Sequence, residues 1–190
     1  MQPSSWTQIR RIAGKETTLF FTSPVAYLFL AAFVSVSFFA VFWGEAFFAR
    51  NLADARPLFE WMPILLLFLC SSLTMKLWSE ERRTGTLEHV LTTPVPIWRF
   101  VIGKFLACLV LLAAALALTT PFPLTVAFLG DLDWGPVVAG YLATFMLGAG
   151  YLSIGLFVSS RTSNQIISLL GSVAISGTLY LIGSPGFVEF

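Results

Sequence analysis

Few residues in this 190-residue chain have side chains that could carry out catalysis. His89 is the only histidine, which excludes a histidine-based catalytic pair or a multi-histidine metal site within one chain, and we expect it on a helix surface. Both cysteines, Cys70 and Cys108, fall inside apolar segments, and we interpret them as small core residues. We therefore expect no catalytic residue and no metal site, and an intramembrane enzyme is disfavoured.

The chain has no phosphate-binding loop of its own. Such a loop has the form G-x-x-x-x-G-K-[ST], in which backbone amides wrap a phosphate. The two Gly–Lys pairs, Gly14–Lys15 and Gly103–Lys104, are followed by Glu16 and Phe105, so neither fits. Nucleotide chemistry would require a separate chain.

The chain's charge is concentrated in the stretch SEERRTGTLEHV, residues 79–90. Because one charged residue at the centre of a membrane costs roughly 2.5–3.5 kcal/mol, we expect this stretch to lie in water. Gly85 is followed by the signals of a short helix, with Thr84 or Thr86 as its cap and Glu88 in its first turn. A solvated loop with an incidental helical turn is the alternative.

This short helix is predicted to be amphipathic. Leu87, Val90 and Leu91 recur at helical spacing and form one apolar stripe, and Pro94 and Pro96 prevent the helix from continuing. Such a stripe can fold onto the membrane surface or insert into a groove on another protein.

The elements that position this stretch are membrane-spanning helices. The chain is 57% apolar and only 11% charged, against roughly a quarter charged in a soluble domain. Because unpaired backbone groups are costly in lipid, helices of about 20 apolar residues are expected. The predicted fold is an all-α polytopic bundle with five visible spans, at residues 25–43, 61–78, 100–120, 137–158 and 165–183. Pro121 and Pro123 should end the third span and leave a short bent extension.

The basic residues predict the orientation of the bundle. Nine of the eleven lysines and arginines fall on one side of the predicted spans, and only Arg50 and Arg56 fall on the other. Since lysine and arginine favour the cytoplasm, the N-terminus and the charged stretch are expected there. Glu45, Asp54 and Glu60 then lie outside, as solvated ends or as part of a site for an external partner.

The two ends of the chain lie beyond the predicted bundle. Residues 1–24 are expected to form a cytoplasmic helix in the headgroup layer, because Trp6, Ile9 and Ile12 share one face and the basic residues lie on others. A disordered basic tail is the alternative. Residues 184–190 are expected to begin an outer segment that leads to a sixth span after the end of this sequence.

Ser168, Ser172 and Ser176 give the fifth span a face of small residues. Small residues let membrane helices approach closely. Two interpretations remain open, packing inside the bundle and an interface between two such bundles, where a route across the membrane would run. No charged residue marks that route, so a lipid-like cargo or mechanical output is favoured over an ion.

Three segments resemble the ABC-2 class of ATP-binding-cassette permeases. SEERRTGTLEHVLTTPVPIWRFVIGKFLA is similar to the family's connection between spans two and three. KETTLFFTSPVAYLFLAAF resembles the family's opening, and IGLFVSSRTSNQIIS resembles its connection between spans four and five. The gliding-motility-type permeases are the subgroup that the chain resembles most.

The resemblance implies a mechanism and a set of partners. Two permeases, identical or homologous, would each dock a cassette ATPase that carries ATP and Mg²⁺, with an extracytoplasmic or membrane-anchored accessory subunit, in a bacterial cytoplasmic membrane. No nucleic acid is expected. The residues that the resemblance assigns to ATPase coupling are Glu80, Glu81, Arg82, Arg83, Gly85, Thr86, Leu87 and Glu88. The alternative function is a membrane scaffold that does not transport.

Overall fold

The computed structural model describes residues 4–44, 54–92 and 95–183 of a helical bundle. Five helical stretches within these ranges are long and apolar enough to cross a membrane: Ala26–Gly44, Arg56–Thr84, Ile97–Leu129, Trp134–Arg161 and Gln165–Ile182. The predicted all-α bundle is therefore confirmed. The expectations for Glu45, for Pro94 and for residues 184–190 fall outside the described residues.

The N-terminal part consists of two helices that meet at a proline. Helix α1, Ser5–Thr22, begins after Ser4, whose hydroxyl accepts a hydrogen bond from the Thr7 amide at 3.4 Å. Ser23 is extended, with φ −87° and ψ 127°, because the residue before a proline is pushed out of the helical region. Helix α2, Pro24–Phe39, follows and ends in one π-helical turn, Ala40–Gly44.

The second span is longer than predicted and passes directly into the charged stretch. Helix α3, Arg56–Thr74, starts five residues before the predicted boundary at residue 61, with Pro57 in its first turn. After one turn the chain continues as helix α4, Ser79–Thr84, and then as helix α5, Thr86–Thr92. The helix after Gly85 is thus confirmed, whereas the helical form of residues 79–84 was not predicted.

The remaining helices complete the bundle. Helix α6, Ile97–Ala117, ends four residues before Pro121, and the bent extension predicted from the prolines is helix α7, Pro121–Leu129. Helix α8, Trp134–Arg161, and helix α9, Gln165–Ile182, form the last two described spans.

Helix α3 lies at the centre and contacts α2, α8 and α9, while α8 also contacts α6. Two glycines allow the closest approaches. A Cβ atom at Gly155 of α8 would lie 2.0 Å from Thr74 Oγ1 of α3, and one at Gly103 of α6 would lie 2.6 Å from Ile12 Cγ2 of α1. Small residues at these crossings let the backbones pack at short distance.

Helix α1 packs along α6 rather than lying free of the bundle. Ile9 is buried and Ile12 meets Gly103, so this part of its apolar face contacts the protein's own third span. Trp6, on the predicted apolar face, is 67% exposed. The helix that the sequence predicted is present, and its expected contact with lipid is limited to the side that α6 leaves open.

Candidate functional site

The charged stretch begins as a helix whose first turn is capped by another span. The backbone amides of Trp78 and Ser79 both donate to Ser159 Oγ of α8, each at 3.2 Å. The first amides of a helix have no partner within the helix, so a side-chain acceptor stabilises its start. Ser159 thereby fixes the base of α4 against the end of α8.

Gly85 makes the turn between α4 and α5. Its φ of +73° lies in the left-handed region, which glycine adopts without steric cost. Two threonines tie the turn together: Thr84 Oγ1 donates to the Glu80 carbonyl at 2.9 Å, and the hydroxyls of Thr84 and Thr86 lie 3.0 Å apart. We call the unit formed by α4, Gly85 and α5 the α4–α5 hairpin.

A buried ion cluster anchors this hairpin to two other helices. The Lys104 ammonium of α6 lies 2.8 Å from Glu81 Oε1 of α4 and 3.0 Å from Glu16 Oε1 of α1. It also lies 5.2 Å from the centre of the Trp78 ring, a cation–π contact. The Lys104 side chain is only 3% exposed. The charged cluster, Lys104 with Glu16 and Glu81, thus joins α1, α4 and α6 at one point.

The charged cluster carries one positive and two negative charges when all three groups are ionised. Each carboxylate accepts a hydrogen bond from Lys104 Nζ at its Oε1 atom. Glu81 Oε2 is buried and has no hydrogen-bond partner among the described residues. A buried carboxylate oxygen without a donor is destabilising, so this atom is an acceptor for an additional donor.

The sequence prediction that the whole stretch lies in water departs from the structure at Glu81. Its side chain is 25% exposed and points toward Lys104, because the pair stabilises the lysine inside the bundle. From the sequence, Lys104 serves as one of the basic residues that predict orientation and as part of a Gly–Lys pair that does not fit a phosphate-binding loop, and a buried site is not expected there. A lysine within the apolar run FVIGKFLACLV was the available signal for a site, since ionisable residues in spans rarely lack a partner.

The eight predicted coupling residues differ in how far they are exposed. Glu81 and Leu87 face the protein, and Leu87 packs against the buried core. Glu80 is half-buried and forms a weak pair with Arg83, at 3.9 Å. The outer face of the hairpin is formed by the exposed members Arg82, Arg83, Gly85, Thr86 and Glu88.

Of the predicted apolar stripe on α5, only Leu87 can be placed. The description of α5 covers its backbone, whereas the side chains of His89, Val90 and Leu91 lie outside the described residues. Leu87 lines an apolar cavity of about 530 Å³ together with Trp78 and Phe105. At this position the hairpin therefore faces its own bundle through Leu87.

The three serines of the fifth span lie inside the single chain. Ser168, Ser172 and Ser176 are each 0% exposed, on the side of α9 that meets α3 and α8. Ser172 donates to the Ser168 carbonyl at 2.8 Å. This placement is the one that packing inside the bundle requires, and the opposite side of α9 is exposed at Ile166 and Leu170. A contact of the three serines with a second permease would require the bundle to open.

Among the described residues, no group of three histidine, cysteine, aspartate or glutamate side chains is placed to hold a metal ion. Cys70 and Cys108 are both buried, as expected of core residues. What the site offers is an exposed polar face on a short hairpin, held from behind by an ion cluster and a serine cap.

The sequence model of a family described as ABC-2 family transporter protein matches residues 54–186. This range includes the hairpin, Lys104, Ser159 and the helices α3 to α9. No curated protein and no solved structure shows significant similarity to the chain. With its five apolar helices that can cross a membrane, the chain belongs to the ABC-2 transporter family as a permease-type membrane subunit.

Proposed function

We propose that this chain transmits the work of a separate cassette ATPase to the spans of a bacterial cytoplasmic-membrane transporter, for export or mechanical output. The N-terminus and the α4–α5 hairpin lie in the cytoplasm in this proposal, and ATP and Mg²⁺ are held by the partner. The ATPase docks on the outer face of the hairpin, at Arg82, Arg83, Thr86 and Glu88.

One observation carries the proposal. The hairpin has an exposed charged outer face, and its inner face is fixed to other helices. On its inner side, Lys104 joins Glu81 to Glu16, and Ser159 caps the base of α4. A push on the outer face would therefore reach α1, α6 and α8 together. If the hairpin were attached only through its two chain ends, the same push would move the hairpin without moving these helices.

The family and the resemblance in sequence support an assembly with several partners. We expect two copies of the chain, or the chain and a homologue, with two ATPases and an extracytoplasmic or membrane-anchored accessory subunit, as in the gliding-motility-type permeases. The route for cargo would then run between the two bundles, with Ser168, Ser172 and Ser176 reached only when the helices separate.

Charge reversal on the outer face tests the docking assignment. We expect Arg83→Glu to lower the amount of cassette ATPase that co-purifies with the chain by about tenfold or more, because a like charge placed at an interface costs several kcal/mol. Arg161→Glu is the matched control, since Arg161 is also exposed at this end of the bundle but lies outside the hairpin. Its ATPase yield should equal that of the unchanged chain.

Two results would contradict the proposal. Equal loss of the ATPase in both variants would indicate a general charge effect. A chain that is purified from native membranes with other proteins but without any cassette ATPase would favour the scaffold function instead.

A further inference from the structure

A cavity of about 330 Å³ lies beside the charged cluster, where α1, α2, α3 and α4 meet. Six charged residues line it, three lysines and three glutamates: Lys15, Lys76, Lys104, Glu16, Glu80 and Glu81. Lys15 and Lys76 are exposed, whereas Lys104 is buried. The lining therefore combines charged groups of both signs with apolar side chains such as Leu19 and Phe20, and it has no net charge when all six charged groups are ionised.

An apolar groove between α2 and α3 adjoins this cavity. The groove has a volume of about 400 Å³, and Phe29 and Ser72 line both compartments. It extends along α2 as far as Val36 and along α3 as far as Leu65. Seven residues of helix correspond to about 10 Å, or two-thirds of one leaflet of the hydrocarbon core.

A charged compartment joined to an apolar groove of this length fits a phospholipid. The head would lie at the level of the charged stretch and one acyl chain would lie along the spans. The groove is open toward the outside of the bundle, where Phe68 is 59% exposed and Val36 is 49% exposed. A lipid can therefore enter sideways from the leaflet on the side of α1.

The charges select the class of headgroup. A purely anionic head would bring a phosphate close to three carboxylates, whereas a zwitterion can satisfy both signs. Glu81 lines the cavity, and its buried Oε2 atom has no donor among the described residues. A primary ammonium has three N–H donors, and a quaternary ammonium such as choline has none.

We propose that this cavity binds one zwitterionic aminophospholipid with a primary ammonium, of the phosphatidylethanolamine class. The ammonium donates to Glu81 Oε2, which is covered in this structure and is reached when the Glu81 carboxylate turns toward the cavity. The phosphate lies between Lys15 and Lys76, and an acyl chain occupies the groove between α2 and α3. The site does not depend on docking of an ATPase. It places a lipid against α4 and the charged cluster that holds the hairpin.

Native mass spectrometry of the purified full chain in detergent tests this site. The probes are phosphatidylethanolamine, phosphatidylcholine and phosphatidylglycerol with identical acyl chains. We expect the ethanolamine lipid to bind about tenfold or more tighter than either of the others, the factor expected of one charge-assisted hydrogen bond. Glycerophosphoethanolamine, which has the same head and no acyl chain, should bind much more weakly.

Two variants localise the binding without altering the charged cluster. Lys76→Gln removes an exposed cation at the cavity, and Ala32→Trp fills the groove. Each should lower the affinity for phosphatidylethanolamine about tenfold. The matched controls are Arg161→Gln and Ala31→Trp, which are exposed positions that line neither compartment, and both should bind as the unchanged chain does.

The proposal is overturned if the choline lipid binds as well as the ethanolamine lipid, or if phosphatidylglycerol binds tighter. It is also overturned if Lys76→Gln and Ala32→Trp leave the affinity unchanged, since the lipid would then bind elsewhere. Equal binding of the head without acyl chains would assign the cavity to a soluble zwitterion rather than to a lipid.

Discussion

The two ends of the bundle each contain an ion pair, and the pairs differ in burial. At one end, the Lys104 side chain is 3% exposed and contacts two glutamates on two helices. At the other, Arg56 Nε lies 3.7 Å from Oδ2 of Asp54, two residues earlier in the sequence, with the two side chains 75% and 47% exposed. Ion pairing therefore connects three helices at one end, whereas at the other end it links only two residues at the start of one helix.

Breaking the buried ion pair should lower the free energy of unfolding more than any other change considered below. Lys104→Met leaves two carboxylates without their cation, so we expect a loss of about 3–5 kcal/mol in the free energy of unfolding. An SDS titration in mixed micelles measures this loss. Adding Glu16→Gln and Glu81→Gln to the same chain should restore much of the stability, because the uncompensated charges are then gone. Failure of that rescue would assign the effect to lost packing instead.

The two ends of α8 also differ in how tightly they pack against α3. A methyl group at Gly155 would lie 2.0 Å from Thr74 Oγ1, on a buried β-branched side chain, so Gly155→Ala should cost about 1–3 kcal/mol. At the other end of α8, a methyl group at Gly140 would meet the half-buried ring of Phe59 at 2.8 Å. That ring can turn aside, so Gly140→Ala should cost about 1 kcal/mol or less. The same titration measures both, and equal costs would contradict this account.

The helix caps at the two ends provide a third pair of sites. Ser159→Ala leaves two buried amides of the α4 base without an acceptor, and we expect a loss of about 2 kcal/mol. Asp133→Ala removes an exposed cap from the Gly135 amide at the start of α8, where water can replace it, and should cost about 0.5–1 kcal/mol. Hydrogen exchange should accelerate in α4 for the first variant only. Unchanged hydrogen exchange in α4 of the Ser159→Ala variant would show that Ser159 does not hold the start of α4.

Breaking the exposed ion pair between Arg56 and Asp54 should change the free energy of unfolding least. Arg56→Met is expected to change the free energy of unfolding by no more than about 1 kcal/mol, because a solvent-exposed ion pair gains little and is screened by salt. The change should also shrink further at high salt. A loss as large as that of Lys104→Met would mean that burial does not distinguish the two ends.

Composition and proline positions sufficed to predict most of the bundle. The last span, predicted at residues 165–183, is Gln165–Ile182, and the extension predicted after Pro121 is present. These features depend on hydrophobic length and on local steric effects. They can be read from neighbouring residues alone.

The interior of the site could not be predicted in the same way. Glu81 meets Lys104 across 23 positions, Glu16 meets it across 88, and Ser159 caps an amide 81 positions away. Nothing local in SEERRT indicates that one glutamate turns inward while Arg82 and Arg83 remain outside. The resemblance to a family treats the stretch as one unit and does not divide it into an anchored side and an exposed side.

Site-specific photo-crosslinking in native membranes tests the central claim most directly. A photoreactive amino acid at Arg83, on the outer face of the hairpin, should capture a cassette ATPase that mass spectrometry identifies. The same amino acid at Arg56, exposed at the opposite end, should capture none. Capture of the ATPase from Arg56, or a hairpin at Arg83 that a membrane-impermeant reagent reaches from outside intact cells, would contradict the account.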